Sequence, residues 1–205
     1  FFERTNILGN KFFFQLKEIE ISGHKKVDHV AMQRKLNSLI GQNLLLTKRR
    51  DIEDIINENK LISEYTVVKQ YPNKISVKLK EVVLLAKFIK DKKRYFLADN
   101  NNLILYADHL TDQNLPNVYG KDAEYYFNDF QKLLKLNNFN LNIISSYYFF
   151  QINRWDIVTN NQKIIKFPSK GLTEAIRVVN KLLNNKNFNN YSVIDLRINN
   201  KIITQ

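Results

Sequence analysis

"VVKQYPNKISVKLKE", residues 67–81, is the stretch that decides the fold of the first part of this 205-residue chain. Apolar and polar residues alternate through 75–82, which predicts a strand with one buried face. Pro72 lies in the segment 71–74, where its fixed φ favours a tight turn. A second strand precedes that turn at 64–70. The stretch therefore predicts a β-hairpin.

Two predicted helices precede the hairpin. Asp28 is predicted to cap the N-terminus of the first helix, and Gly41 to end that helix. Thr47 is predicted to cap the second helix, whose first turn holds Asp51 near the positive end of the helix dipole. Residues 12–22 are predicted to form a strand and turn before both helices. The resulting order, β-α-α-β-β, fits a small independent unit. The stripe by which the first helix faces the core is predicted to consist of Val30, Met32, Leu36, Leu39 and Ile40.

The second half has a different pattern, with short strands separated by turns rich in Asn. Helices are predicted at about 123–136 and 172–183, where apolar residues recur at helical spacing. Residues 115–120, "LPNVYG", are predicted to form a loop. The fold class is therefore α+β: a β-α-α-β-β unit is followed by a mostly antiparallel sheet with two packed helices.

Composition excludes several classes of protein. The formal net charge is +12, but the excess of Lys and Arg is spread along the chain, so we expect no nucleic-acid partner. The chain has no cysteine, which excludes disulfides and thiolate metal sites. No apolar run reaches the ~20 residues that a membrane-spanning helix needs.

No set of residues suggests catalysis. His24 and His29 lie around a turn and His109 lies in a polar loop, and none has the spacing of a helix-borne metal pair. The five glycines form no phosphate-binding loop. We expect a protein that is not an enzyme and has no cofactor and no metal.

Several motifs, taken in order, resemble the bacterial cell-division protein family FtsQ/DivIB. In the first part the likeness, to a POTRA domain, is carried by "IEISGHKKVD", "GQNLLLTKRRDIEDII" and "VVKQYPNKISVKLKE". The second part resembles the β domain of that family. The motifs that carry this likeness are "YFLADNNNLIL", "LPNVYG", "RWDIVTNNQKIIKF" and "VIDLR". The expected domains are a POTRA-like domain at 14–84 and a β domain at 85–205.

Two positions depart from the family pattern. Glu81 and Ala86 are present at the expected domain junction, but the proline that the family places after the glutamate is replaced, which blurs the junction. The Asp-x-x-Gly turn of the family appears as Asp99 followed by three asparagines, which tolerate left-handed dihedral angles.

The resemblance implies a non-enzymatic scaffold of the divisome that recruits FtsB and FtsL to the division site. It also implies a single-pass protein of the bacterial inner membrane, with this chain in the periplasm and the membrane anchor before Phe1. The alternative is a POTRA-containing factor of outer-membrane assembly or secretion. An envelope enzyme would need a pocket with perturbed titratable groups.

The chain ends in a second hairpin sequence, "VIDLRINNKIITQ". A two-residue turn at Asn199 and Asn200 would pair Leu196 with Ile203, both facing the core, and would leave the last strand as an open edge. The family resemblance implies that this edge receives a strand of FtsB by β-augmentation. The expected partner-binding residues are Arg154, Trp155, Arg197, Ile198, Lys201, Ile202, Ile203 and Thr204.

Overall fold

In a computed structural model of the chain, the described residues are 14–111, 114–185, 190–198 and 201–204. The chain divides into two compact units between Val83 and Leu84, one residue before the boundary expected from the sequence. That each unit is an independently folding domain stays a prediction.

The described part of the first unit contains three strands and two helices. A three-stranded sheet has the order β1-β3-β2, in which β1 is parallel and β2 antiparallel to β3. Alternation places one face of this sheet against the helices, with Ile19 beside Ile75 and Ile21 beside Val77. The elements are β1 (Glu18–Ser22), α1 (His29–Asn37), α2 (Arg49–Asn57), β2 (Ile62–Gln70) and β3 (Lys74–Glu81).

The first helix begins where the sequence predicts, because the Asp28 carboxylate accepts a hydrogen bond from Ala31 N–H at 3.0 Å. Its apolar stripe is narrower than predicted. Met32, Leu36 and Leu39 are buried, whereas Val30 is 64% exposed. Val30 precedes Met32 by two residues, about 200° around a helix, so it faces solvent.

Two further details of this unit differ from the sequence prediction. The first helix ends at Asn37, so Ile40 lies beyond it and is 42% exposed. The second helix has Lys48 at its N-cap position. Thr47 does not cap it, because the Thr47 hydroxyl donates to Asn43 O at 3.0 Å in the preceding turn.

The second unit contains a nine-stranded sheet with the order β12-β11-β10-β9-β8-β7-β4-β5-β6 in its described residues. Five of its eight described pairings are antiparallel, and β4 with β7, β7 with β8, and β10 with β11 are parallel. The predicted α+β class is confirmed. The elements are β4 (Leu84–Lys90), β5 (Lys93–Ala98), β6 (Leu103–Leu105), β7 (Asn117–Tyr119), α3 (Ala123–Leu136), β8 (Ile144–Phe150), β9 (Arg154–Thr159), β10 (Ile164–Lys166), α4 (Leu172–Leu183), β11 (Val193–Asp195) and β12 (Ile203–Thr204).

Strand β7 corrects the prediction of a loop at 115–120. It lies between β4 and β8 and pairs with both. Val118 is 1% exposed in the core, and Lys87 N–H donates to Pro116 O at 2.8 Å. A three-residue strand is too short for its alternation to be recognised in the sequence. It forms here because the backbone groups of β4 and β8 both need a hydrogen-bonding partner.

The core of the second unit lies between the sheet and helices α3 and α4. Phe130 stacks on Trp155 with ring centroids 4.8 Å apart and an interplanar angle of 2°. Phe127 meets Tyr147 edge to face at 5.0 Å. Both helices contribute to this one cluster, so the other face of strands β8 to β12 carries neither helix. We call that side the open face.

Candidate partner-binding edge

Strand β12 lies at one edge of the nine-stranded sheet, and among the described residues it pairs only with β11. The pairing is antiparallel, with Asp195 opposite Ile203 and Ile194 opposite Thr204. The outer side of β12 is therefore an open edge.

The directions of the backbone groups at this edge follow from alternation along β11. Leu196 N–H donates to Lys166 O at 3.0 Å, so Leu196 points its backbone groups toward β10. Asp195, one residue earlier, then points its groups toward β12. Asp195 and Ile203 form the hydrogen-bonded pair, and the N–H and C=O of Thr204 point away from the sheet.

The register differs by one residue from the sequence prediction. Leu196 was predicted to lie opposite Ile203, and the structure places Asp195 there instead. The predicted turn at Asn199 and Asn200 lies outside the described residues. Lys201 N–H donates to Ile198 O at 3.1 Å.

The shifted register also changes which side chains share a face. Leu196 is 8% exposed and lies on the helix face, where it lines a groove of about 360 Å³ with Ile202 and Val178. Ile203 lies on the open face and is 41% exposed. The prediction that Leu196 and Ile203 share the core face is therefore wrong, because a one-residue shift moves a side chain to the other face.

Six residues form a continuous row across the open face, each directly opposite the next on neighbouring strands. Because paired residues of a sheet point their side chains to the same side, the row runs unbroken from β7 to the edge strand β12. We call it the cross-strand row, and it consists of Tyr119, Tyr148, Asp156, Lys166, Asp195 and Ile203.

The Asp195 carboxylate is the best-paired group of this row. Arg197 Nε donates to both of its oxygens at 2.9 Å, Arg197 Nη2 donates to Oδ2, and Arg197 N–H donates to Oδ1 at 3.0 Å. The Arg197 guanidinium holds the pKa of Asp195 below its ordinary value. The pair fixes the Arg197 side chain next to the edge strand.

The Asp156 carboxylate has a different environment. Burial raises its pKa, although the charges of Arg154, Arg197 and Lys166 oppose that effect. Arg154 Nε lies 3.4 Å from Asp156 Oδ1, and neither atom has a hydrogen-bond partner among the described residues. The Arg154 guanidinium also lies over the Phe150 ring, 3.9 Å from its centroid.

Lys166 lies between two acids in register, Asp156 on β9 and Asp195 on β11. Its ammonium forms no ion pair within 4.0 Å in the described part of the chain. With the two arginines it gives the open face three cations against two carboxylates. The charge cluster, as we call it, consists of Arg154, Asp156, Lys166, Asp195 and Arg197, and it has a formal charge of +1.

The predicted partner-binding residues fall into three groups. Arg197, Ile198, Lys201, Ile202 and Ile203 are exposed at the edge, and Thr204 is half-buried there. Arg154 is half-buried on the open face, within the charge cluster. Trp155 is 3% exposed in the core, so its prediction as a contact residue is wrong: it alternates with Arg154 and faces the helices.

Sequence reasoning missed five members of the cross-strand row: Tyr119, Tyr148, Asp156, Lys166 and Asp195. Alternation along the longer strands β8 and β9 is a usable signal for Tyr148 and Asp156. The meeting of the five residues across five strands depends on registers that alternation alone does not fix.

The described residues show no group of three or more His, Cys, Asp or Glu side chains that could hold a metal ion. Of the described helices, none has the length and apolar character required to cross a bilayer. The rings of His24 and His29 stack on each other with their centroids 4.6 Å apart.

Comparison with known proteins identifies the family. A model described as "POTRA domain, FtsQ-type" matches residues 14–81, and a model described as "Cell division protein FtsQ/DivIB, C-terminal" matches residues 87–197. This chain belongs to the FtsQ/DivIB family. The resemblance found in the sequence is thereby confirmed, and the open edge β12 lies just beyond the FtsQ/DivIB match.

Individual relatives agree with this assignment. Cell division protein FtsQ of Rickettsia conorii is 30% identical over 193 residues, covering 93% of this chain and 72% of its own length. FtsQ of Rickettsia typhi is 28% identical over 207 residues, covering 98% of this chain and 77% of its own. Cell division protein DivIB of Clostridium tetani is 25% identical over 114 residues, covering 56% and 43% of the two chains.

A solved structure of the major extracytoplasmic domain of DivIB from Geobacillus stearothermophilus is also similar. It covers 47% of this chain and 87% of its own, with 12% identity and a TM-score of 0.32. A likeness at that score adds nothing to the FtsQ/DivIB assignment.

Proposed function

We propose that this chain is a non-enzymatic scaffold of the divisome that recruits FtsB and FtsL-like proteins to the division site, and that β12 receives a strand of the partner. Membership in a family of cell-division proteins supports a role in division. The observation that carries the binding mode is the open edge at β12, whose outer backbone groups have no partner strand in the described residues.

An unpaired strand edge readily accepts another strand, and proteins usually blunt such edges. The described residues give β12 neither a proline nor a covering element; Ile203 in this strand is 41% exposed, and Ile202 just before it is 46% exposed. β-Augmentation would satisfy the outward N–H and C=O of Thr204 and cover these side chains. The proposed contacts are Arg197, Ile198, Lys201, Ile202, Ile203 and Thr204, with Arg154 on the adjoining face.

We further propose that the protein is a single-pass component of the bacterial inner membrane, with an anchor before Phe1 and this chain in the periplasm. The family assignment supports this location. The alternative of an outer-membrane assembly factor has no support in the second unit, which matches the FtsQ/DivIB model instead.

Proline substitutions at neighbouring positions test the edge. Thr204→Pro removes an N–H that points outward, so we expect it to abolish binding of the purified periplasmic part of FtsB while the melting temperature changes little. Ile202 lies two residues before Thr204 and also points its N–H outward, so Ile202→Pro should have the same effects. Ile203→Pro is the matched control, because it removes the N–H that faces Asp195 and should destabilise the hairpin.

Calorimetric titration with FtsB and thermal unfolding of each variant provide the two readouts. Folded Thr204→Pro and Ile202→Pro proteins that bind FtsB with wild-type affinity would exclude this edge as the docking site.

A further inference from the structure

We propose that a cavity at the start of α3 binds a guanidinium group, with the Glu124 carboxylate as its main acceptor. The site goes beyond the proposed function, because none of its residues lies on β11 or β12. The ligand is defined by its chemistry, which an arginine side chain of another protein and a free arginine-like molecule share.

The cavity has a volume of about 380 Å³ and lies within the second unit. It is lined by the last residues of β4 and β7 and by the first turn of α3. The two strands are parallel, and α3 follows β7 after a short turn. A ligand site is often found at the carboxyl ends of parallel strands, next to the start of a helix.

The Glu124 side chain is the group in this cavity that lacks a partner. It is 6% exposed. Its Oε1 accepts a hydrogen bond from Lys90 Nζ at 2.6 Å, whereas Oε2 has no hydrogen-bond partner among the described residues. A buried carboxylate oxygen without a donor is costly. Because the last torsion of a glutamate side chain is soft, Oε2 can turn toward a donor that enters the cavity.

The charge of the lining favours a cation. Its ionised groups are three carboxylates and two ammonium groups, those of Asp91, Asp122, Glu124, Lys90 and Lys121. The formal charge of the lining is therefore −1, in a chain whose formal net charge is +12. This local reversal of sign attracts a positively charged ligand and repels a negatively charged one.

Two other classes of ligand fit this lining less well. The start of a helix attracts anions, but Glu124 already places a negative charge in the first turn of α3. A divalent metal ion needs several converging oxygen ligands, and the part of the chain that the structure describes has no group of three or more acidic, His or Cys side chains that could hold one.

Between the two common organic cations, the lining favours guanidinium over ammonium. Tyr119 lines the same cavity and is 38% exposed. A guanidinium group is planar, so it pairs with carboxylates and also stacks on aromatic rings. An ammonium group is a compact and strongly hydrated charge, and it loses more hydration on entering such a cavity.

The first experiment titrates the full chain with N-acetylarginine methylamide and follows the backbone amide resonances by NMR. We expect saturable shifts centred on residues 119–124, with a dissociation constant on the order of 1 mM, as a single side chain provides. N-acetyllysine methylamide should bind about fivefold more weakly. Free arginine separates the two sources: tighter binding than the blocked form indicates a small molecule, and equal or weaker binding indicates a protein side chain.

The second experiment repeats the titration with variants of the acids. Glu124→Gln should weaken binding about tenfold, because it removes the buried charge. Glu174→Gln makes the same change in net charge at a 71% exposed carboxylate of α4 and is the control, with less than about a twofold effect. Asp91→Asn keeps the fold, since Asp91 is exposed and asparagine tolerates its φ of +49°, and it should weaken binding about threefold.

Lys90→Met distinguishes a ligand site from a purely structural ion pair. It releases Glu124 Oε1 and makes the lining more negative, so binding of the blocked arginine should tighten about threefold or more. A structural pair alone predicts lower stability and no gain in affinity. The inference is wrong if Lys90→Met does not tighten binding, if Glu124→Gln binds like wild type, if no saturable shift appears, or if the lysine compound binds as tightly as the arginine compound.

Discussion

The Glu81 carboxylate at the end of β3 accepts the backbone N–H of Val27 at 2.8 Å. The same oxygen also accepts the N–H groups of Lys25 and Lys26, each at 2.6 Å. One side chain therefore ties the turn between β1 and α1 to the last residue of the sheet, next to the junction of the two units.

Glu81→Gln should lower the free energy of unfolding of the first unit by about 1–3 kcal/mol, because three N–H groups lose a charged acceptor. Burial raises the pKa of Glu81, but the three backbone N–H groups outweigh it, so the folded pKa lies below the ordinary value. The stabilisation is therefore present above the unfolded pKa and is lost as the pH falls through the folded pKa.

Chemical unfolding of wild type and Glu81→Gln between pH 7 and pH 3 tests this, and the two curves should converge in acid. Glu64→Gln is the control, since Glu64 forms an exposed ion pair with Lys80 and should matter by less than ~1 kcal/mol. A difference between wild type and Glu81→Gln that stays constant down to pH 3 would contradict the assigned role.

Gly23→Ala should destabilise the same turn severely. Gly23 has φ +81°, and a Cβ there would lie 2.2 Å from Leu79 O, a backbone atom that cannot move aside cheaply. Gly171 has a similar φ of +71° but no atom within 4 Å of a built Cβ, so Gly171→Ala isolates the backbone strain. Melting temperatures should fall strongly for the first variant and slightly for the second; equal losses would refute the close contact.

Trp155→Ala should cost about 3–5 kcal/mol, because it removes a core ring that stacks on Phe130. Tyr148→Ala, on the adjacent strand but facing the open side, leaves no buried cavity and should cost much less. Urea unfolding compares them. Near-wild-type stability of Trp155→Ala would mean that the residue is not in the core.

The Lys69 ammonium donates to Leu44 O at 2.8 Å and to Thr47 O at 2.6 Å. Lys69→Met should lower stability by about 1–2 kcal/mol by leaving two carbonyls of this turn without that donor. Lys78→Met, on the other face of the same sheet, is the control. Faster amide exchange confined to residues 43–48 would identify the affected turn, and unchanged exchange there would contradict the prediction.

The sequence predicted the elements whose signal is local. Helices at 123–136 and 172–183 were placed at the residues where the structure has them, because long apolar stripes and polar turns mark them. The edge position of the last strand was predicted from the terminal hairpin pattern, and the structure shows it among the described residues.

What the sequence could not supply were relations between distant segments. The register of β11 and β12 differs by one residue from the predicted register, and that shift reversed the face of Ile203. Trp155 is buried against the helices, whereas its neighbour Arg154 lies on the open face. The sequence alone does not show which face of β9 the helices cover. The charge cluster combines residues from three strands, and local alternation does not predict the order of those strands in the sheet.

If a partner strand docks at β12 as we propose, the insertion of β7 also has a mechanical consequence. In the described residues, strand pairing joins β4 to β6 with β8 to β12 through β7 alone, and β7 pairs with β4 at only two positions, Lys87 with Asn117 and Phe88 with Val118. Tension applied at β12 would load that seam and also the pairing of β12 with β11, which likewise joins only two residue pairs, so we expect the sheet to yield at one of these two short pairings.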